Sequence, residues 1–192
     1  MTVDRARSLY LPPWRVDVVR RAGPSVPLSD AALARAVGAA LEVGRAPRPG
    51  SVTVVLTDDD ELAELNREHM GLDGPTDVLS FPMLPPESFG EARPPAAFPS
   101  LRRTHVGDIA VSVERVIAQA QAGRGGQTGD VRWSPADELR LLVIHGTLHL
   151  CGRDHAEPGD ERAMRALERE LLGRRPHALA PRDPVIESPG EA

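Results

Sequence analysis

The chain has 192 residues, 41% of them hydrophobic and 27% charged, which is the composition of a soluble globular protein with room for one well-buried domain. A formal net charge of −5 gives no general attraction to nucleic acid, so a nucleic-acid surface would have to be a local basic patch. No apolar run approaches the roughly 18 residues that span a bilayer, the first residues lack a basic-then-apolar signal pattern, and the single cysteine excludes an intramolecular disulfide. The expectation is a cytoplasmic protein with no membrane contact.

Only 3% of residues are aromatic, so the core has to rest on Leu, Val, Ile and Ala. Met1 to Pro13 reads as a loose leader. Trp14 to Arg21 alternates apolar and polar residues as a half-buried strand does. Ser29 or Asp30 can cap a helix carrying Leu33, Val37 and Leu41, which Gly44 ends. Ser51 to Leu56 is a β-branched strand. Thr57 then opens a helix whose first turn holds Asp58, Asp59, Asp60 and Glu61. Those carboxylates suit free N–H groups and the positive end of the helix dipole, so they read as helix-start residues rather than a magnesium site.

That helix carries Leu62, Leu65 and Met70 and ends near Gly71. Gly74 to Asp77 forms a turn into a short strand, Val78 to Pro82. Residues 82–99 are proline-rich and read as a mobile loop inserted within one domain. Val106 to Val111 is the next strand, and Ser112 can cap a helix through about Ala122. Ser134, Pro135, Asp137 and Glu138 form a strong helix start, and that helix runs into His145 and His149. Asp160 to Leu172 is a final amphipathic helix with Met164, Leu167 and Leu171 on one face. Residues 174–192 hold four prolines and no apolar period, and read as a disordered tail. The domain is therefore expected over residues 14–173.

Three of the six histidines fall in one eleven-residue stretch, from His145 to His155. Residues four apart on a helix lie one turn above each other, so His145 and His149 can reach one ion. Gly152 lets the backbone leave the helix in a left-handed conformation, and Asp154 and His155 follow within reach of the same point. Three nitrogen ligands, His145, His149 and His155, with an open fourth position describe a catalytic zinc site with one Zn²⁺ per chain. Cys151, just before the glycine break, reads as a packed or supporting residue rather than a fourth ligand.

This spacing resembles the metzincin peptidase pattern H-E-x-x-H-x-x-G-x-x-H, in which a glutamate next to the first histidine is the general base. Gly146 stands at that place here. A glycine cannot take a proton, which argues against ordinary peptide hydrolysis.

Four segments together resemble the bacterial YbeY-type metal-dependent endoribonucleases of rRNA maturation. They are Leu65 to His69, Pro75 to Pro82, Gly107 to Ser112 and the histidine motif, in the family order, and the resemblance extends over about residues 16–172. It implies an α/β (α+β) fold, a single zincin-like domain with a small mixed β-sheet packed by helices. It also implies a zinc ion on His145, His149 and His155, with single-stranded RNA, rRNA and the small ribosomal subunit as partners. The implied activity is endonucleolytic cleavage in late small-subunit (16S) rRNA maturation and ribosome quality control. Two positions depart from the family pattern. Met70 stands where an arginine thought to face the cleft is often found, and Arg153 replaces the usual tyrosine.

A three-histidine zinc lowers the pKa of its water from 15.7 to about 7 and polarises a phosphoryl oxygen. The attacking oxygen can be that water or the substrate's own 2′-hydroxyl, and the sequence leaves both open. Asp154 either orients a ligating imidazole or caps the turn before the last helix. Arg153 adds positive charge where a phosphate would sit, and it joins Arg102, Arg103, Arg124 and Arg132 as a candidate phosphate contact. The catalytic candidates are thus His145, His149, Asp154 and Arg153. His69 and His105 read as packed or solvated, and Thr76, Asp77 and Ser80 as residues that fix a turn and a strand edge. Asp108 is expected to cap the turn into its strand. Two other classes compete with the ribonuclease: a metal-dependent hydrolase of another substrate, including a peptidase, and a non-catalytic ribosome-biogenesis factor with structural zinc.

Overall fold

Alternation along the strands sorts side chains to two faces of one sheet. The structure is a computed structural model that describes residues 5–21, 24–25, 27–90, 102–122, 133–153 and 158–173. Its strands are β1 (Arg5–Leu11), β2 (Trp14–Arg20), β3 (Gly50–Thr57), β4 (Val78–Pro82) and β5 (Thr104–Ser112), in the spatial order β1-β2-β3-β5-β4. The pairs β2–β3 and β3–β5 are parallel, while β1 and β4 are antiparallel to their neighbours. The helices are α1 (Asp30–Val43), α2 (Asp59–Met70), α3 (Val113–Ala122), α4 (Pro135–Leu150) and α5 (Pro158–Leu171). This is the small mixed sheet packed by helices that the sequence resemblance implies.

One face of the sheet carries the main core. Val16 and Val18 of β2, Val52, Val54 and Leu56 of β3, and Ile109 and Val111 of β5 meet α1 and α4 there. The opposite face buries Leu79 and Ala110 under Leu62 of α2. Leu148 of α4 is fully buried, so its truncation to alanine would cost about 2–5 kcal/mol.

Helix starts follow the side chains available to cap them. The Ser29 side chain accepts from the Ala32 N–H, and Asp58, rather than Thr57, caps α2 by accepting from Glu61 N–H. Two of the other first-turn acids of α2, Asp59 and Glu61, are also engaged. Asp59 accepts from Ser112 Oγ at 2.6 Å and from Arg115 Nε at 3.3 Å, and Glu61 pairs with Arg21. This acidic run therefore holds the start of a helix, as expected. At α4, Ser134 and Asp137 form a reciprocal capping box with Pro135 in the first turn.

One expectation is overturned at the N-terminus. Arg5–Leu11, within the segment read as a loose leader, forms β1, in register with β2 from Arg5↔Arg20 to Leu11↔Trp14. Its side chains are mostly exposed, so the strand is held by backbone pairing at the sheet edge and leaves little apolar alternation in the sequence. In the proline-rich segment, Pro82 ends β4 and Pro86–Ser88 form a short 3-10 turn. Residues 91–99 of that loop, and the expected tail at 174–192, lie outside the described residues.

β5 contains a bulge: Ser51 pairs with His105, but Val52 pairs with Gly107, leaving Val106 as the extra residue. The shift puts His105 and Asp108, three apart, on the same face, where His105 Nε2 and Asp108 Oδ1 lie 2.8 Å apart. Gly107 adopts φ 155°, and a Cβ there would lie 2.4 Å from the Phe81 carbonyl oxygen. Gly107→Ala is therefore expected to lower stability by about 2 kcal/mol or more, from backbone strain plus overpacking. Urea unfolding checks this, and a midpoint equal to the parent would show that the bulge relaxes freely.

Candidate metal centre

α4 is the most deeply embedded helix, with Leu139, Val143, Ile144, Leu148 and Leu150 fully buried. On its sheet-facing side Gly146 lies against β4 and β5. A Cβ at Gly146 would sit 3.0 Å from Ser80 Oγ, 3.1 Å from Ile109 Cγ2 and 3.3 Å from Val78 Cγ2. Ser80 Oγ also donates to the Gly146 carbonyl at 3.1 Å. A Cβ here would press these three side chains aside by a few tenths of an ångström, and a longer side chain would press them further. A glutamate at this position would bury its stem between helix and sheet, so the departure from the peptidase pattern has a packing cause.

His145 and His149, partly buried, stand one turn apart on α4. Their rings are edge to face, with centroids 4.6 Å apart, and the two Nε2 atoms lie 3.1 Å from each other. Two nitrogens each about 2.0–2.1 Å from one tetrahedral ion would be roughly 3.3 Å apart. The imidazole pair is thus spaced to share a small divalent cation. The other ring nitrogen of His145, Nδ1, lies 2.7 Å from Glu168 Oε1 on α5. Glu168 is 6% exposed.

The backbone then leaves α4 as the sequence implies. Gly152 has φ 72°, its N–H bonds to the His149 carbonyl at 2.9 Å, and the Arg153 N–H bonds to the Leu148 carbonyl at 3.0 Å. These two bonds are those of a Schellman turn. Asp154 and His155 lie outside the described residues. Among the described residues, no group of three or more His, Cys, Asp or Glu forms a metal-holding cluster. The described part of the site therefore supplies two imidazoles and one supporting carboxylate.

Cys151 points away from this chemistry. It is buried, and a Cβ at Gly44 would come within 2.4 Å of its Sγ, so the sulfur is pressed against the end of α1. Burial pushes its thiol up to about 12, against a smaller lowering by Arg153. With its sulfur held against Gly44 of α1, Cys151 is a packing residue.

The remaining candidates are placed as follows. Arg153 is exposed directly after the turn. Met70, expected to end an apolar helix face, is instead 48% exposed at the end of α2, where the buried positions are Leu62 and Asn66. His69 packs edge-on against Phe81, with centroids 5.0 Å apart. His105 lies between Asp108 and Ser51, and Asp108 therefore binds a side chain within β5 rather than capping the turn into it. Asp77 accepts from Val78 N–H and from Gln119 Nε2, which fixes the turn into β4. Arg103 donates to the Pro13 carbonyl at 2.7 Å and lies over the Tyr10 ring, so it braces the β1–β2 hairpin. Arg102 is exposed, whereas Arg124 and Arg132 lie outside the described residues.

Glu168 is the residue that sequence reasoning missed. It continues the Met164, Leu167, Leu171 face of α5 as a charged residue in an apolar stripe. A carboxylate at such a position needs a buried partner, and that was the available signal.

A family model described as Endoribonuclease YbeY matches residues 28–175 of the chain. The chain is 42% identical over 160 residues to an Endoribonuclease YbeY of Salinispora tropica, covering 82% of this chain and 93% of that protein. It is 40% identical over 146 residues to another of the same name from a Roseiflexus species, covering 76% and 82%. In structure it is similar to the solution structure of TM1509 from Thermotoga maritima, with a TM-score of 0.50 and 25% identity, over 82% of this chain and 86% of that one.

The thiol gives a test of the packing. Its folded value of about 12 lies above its ordinary 9.0. The stability it contributes is therefore intact below pH 9 and is lost as pH rises from there through about 12. Native protein at pH 8 should react with a chromogenic thiol reagent far more slowly than urea-unfolded protein. Equal rates would place the sulfur at the surface.

Proposed function

This chain belongs to the endoribonuclease YbeY family, and we propose that it is a zinc-dependent endoribonuclease that cuts single-stranded RNA. The proposed setting is the cytoplasm, in late maturation of small-subunit rRNA and in ribosome quality control. The observation that carries the metal reading is the pair of His145 and His149 Nε2 atoms, 3.1 Å apart. The donor set fits zinc, since imidazole nitrogen is among its preferred ligands. His155 is proposed as the third ligand from its place in the motif.

When bound there, zinc supplies a water of lowered pKa and a Lewis acid for a phosphoryl oxygen. The protein's own groups do the rest. His145 and His149 fix the position of the cation, because both belong to a helix that the core holds on nearly every side. Arg153 is proposed to contact a phosphate, with a planar guanidinium suited to bidentate binding of its oxygens. The backbone turn at Gly152 sets where that side chain starts. Asp154 is proposed to orient a ligating imidazole. Gly146 disfavours the peptidase alternative, because its place is filled by the sheet and offers no base.

The test uses zinc-loaded protein, single-stranded RNA and casein. Wild type should cleave the RNA and leave casein intact, and its RNA affinity should fall as salt rises, since phosphate contacts release counterions. His149→Ala, shown to be folded by circular dichroism, should lose zinc and at least about 100-fold in cleavage rate. A folded, zinc-free His149→Ala that cleaves RNA at the parental rate would refute the catalytic assignment. Casein cleavage without RNA cleavage would favour the peptidase.

A further inference from the structure

We propose that Glu168 is a positioning residue that holds His145 in its metal-binding form and couples zinc binding to the seating of α5. The inference rests on the zinc reading above and adds to it a residue from a different helix. Glu168 lies on α5, 23 positions after His145, and is 6% exposed on a face otherwise made of Met164, Leu167 and Leu171. A buried carboxylate needs compensating donors, and leaving it without one is strongly destabilising. Its described partner is His145 Nδ1, at 2.7 Å.

The direction of that bond fixes the imidazole. A carboxylate only accepts, so the Nδ1–H of His145 donates to Glu168 Oε1, and Nε2 keeps its lone pair. That is the nitrogen facing His149 Nε2. The bond also fixes the rotation of the ring about its side chain and raises the basicity of Nε2. Carboxylates that hold ligating histidines in this way typically account for 10–100-fold in metal affinity. A further consequence concerns the fold. The bond spans α4 and α5, which pack together, so anything that tightens the grip on His145 also draws α5 inward. Zinc should therefore stabilise the seating of α5, and loosening α5 should weaken zinc.

A merely structural ion pair would affect stability but not the imidazole's tautomer or zinc affinity. The experiment therefore uses the full chain as wild type, Glu168→Gln and Glu168→Leu. Histidine ¹⁵N NMR of metal-free protein reports the tautomer, and competition with a chromophoric chelator reports zinc affinity. Wild-type His145 should carry its proton on Nδ1, and Glu168→Leu should show a mixture. Gln keeps an acceptor but loses the charge, so Glu168→Gln should lose about 10-fold in zinc affinity and Glu168→Leu up to about 100-fold. Amide exchange in α5 should slow on zinc addition in wild type and much less in the Leu variant.

If Glu168→Leu does not fold, Glu168→Gln carries the test. Tight wild-type binding with equal affinity in the folded variants would overturn the role of Glu168 and leave the zinc reading standing. A wild type that takes up no zinc would overturn the zinc reading and any metal role for Glu168 with it. A wild-type His145 protonated on Nε2 would contradict the positioning geometry whatever the affinity.

Discussion

The contact between α4 and the β4–β5 edge of the sheet sets the rest of the site. Gly146 brings the helix backbone close enough for Ser80 Oγ to donate to its carbonyl, and Val78 and Ile109 close around it. That contact fixes the helix in rotation as well as in depth. With Gly146 facing the sheet, His145 and His149 are turned to a neighbouring strip of α4, partly exposed, where their Nε2 atoms converge. A side chain at Gly146 would press on Ser80, Ile109 and Val78, and so disturb the contact that orients the histidines. The residue that removes a peptidase-type base is the same residue that permits the packing.

Around this contact the polar groups of α4 are secured at both ends. The Ser134–Asp137 capping box holds the start, and the Schellman turn at Gly152 ends the helix immediately after the second histidine. Cys151 fills the space beside Gly44, anchoring that turn to α1 through packing alone. α5 then returns along α4 and places Glu168 against His145. The two histidines are therefore held from the sheet, from the end of the helix and from the following helix. Preorganisation of this kind would suit the proposed metal site, because its two imidazoles need not be gathered when a cation or substrate arrives.

Much of this was legible in the sequence, and the exceptions have physical causes. The β-branched run Ser51 to Leu56, the Ser134-Pro135 helix start and the i, i+4 histidines each reflect a local rule, so they transfer directly to structure. β1 did not, because an edge strand buries little and its arginines mask the alternation, while its pairing partner is decided across a hairpin. Met70 was expected to pack because it follows Leu62 and Leu65 in the helix, yet it sits in the last turn, beyond the sheet that covers Leu62. Glu168 escaped because a glutamate in an amphipathic helix is ordinarily solvated. Only the tertiary packing of α5 on α4 reveals that its stripe position is buried beside a histidine.

X-ray absorption at the zinc edge of the loaded, full-length protein tests the central claim, an open zinc held by imidazoles, most directly. A site built on His145, His149 and one more imidazole should show only nitrogen or oxygen neighbours, at about 2.0–2.1 Å, with the outer-shell scattering of about three imidazole rings. A sulfur neighbour at about 2.3 Å would bring Cys151 into the site, and a shell without imidazole scattering would remove the two histidines from it. Either result would contradict the account.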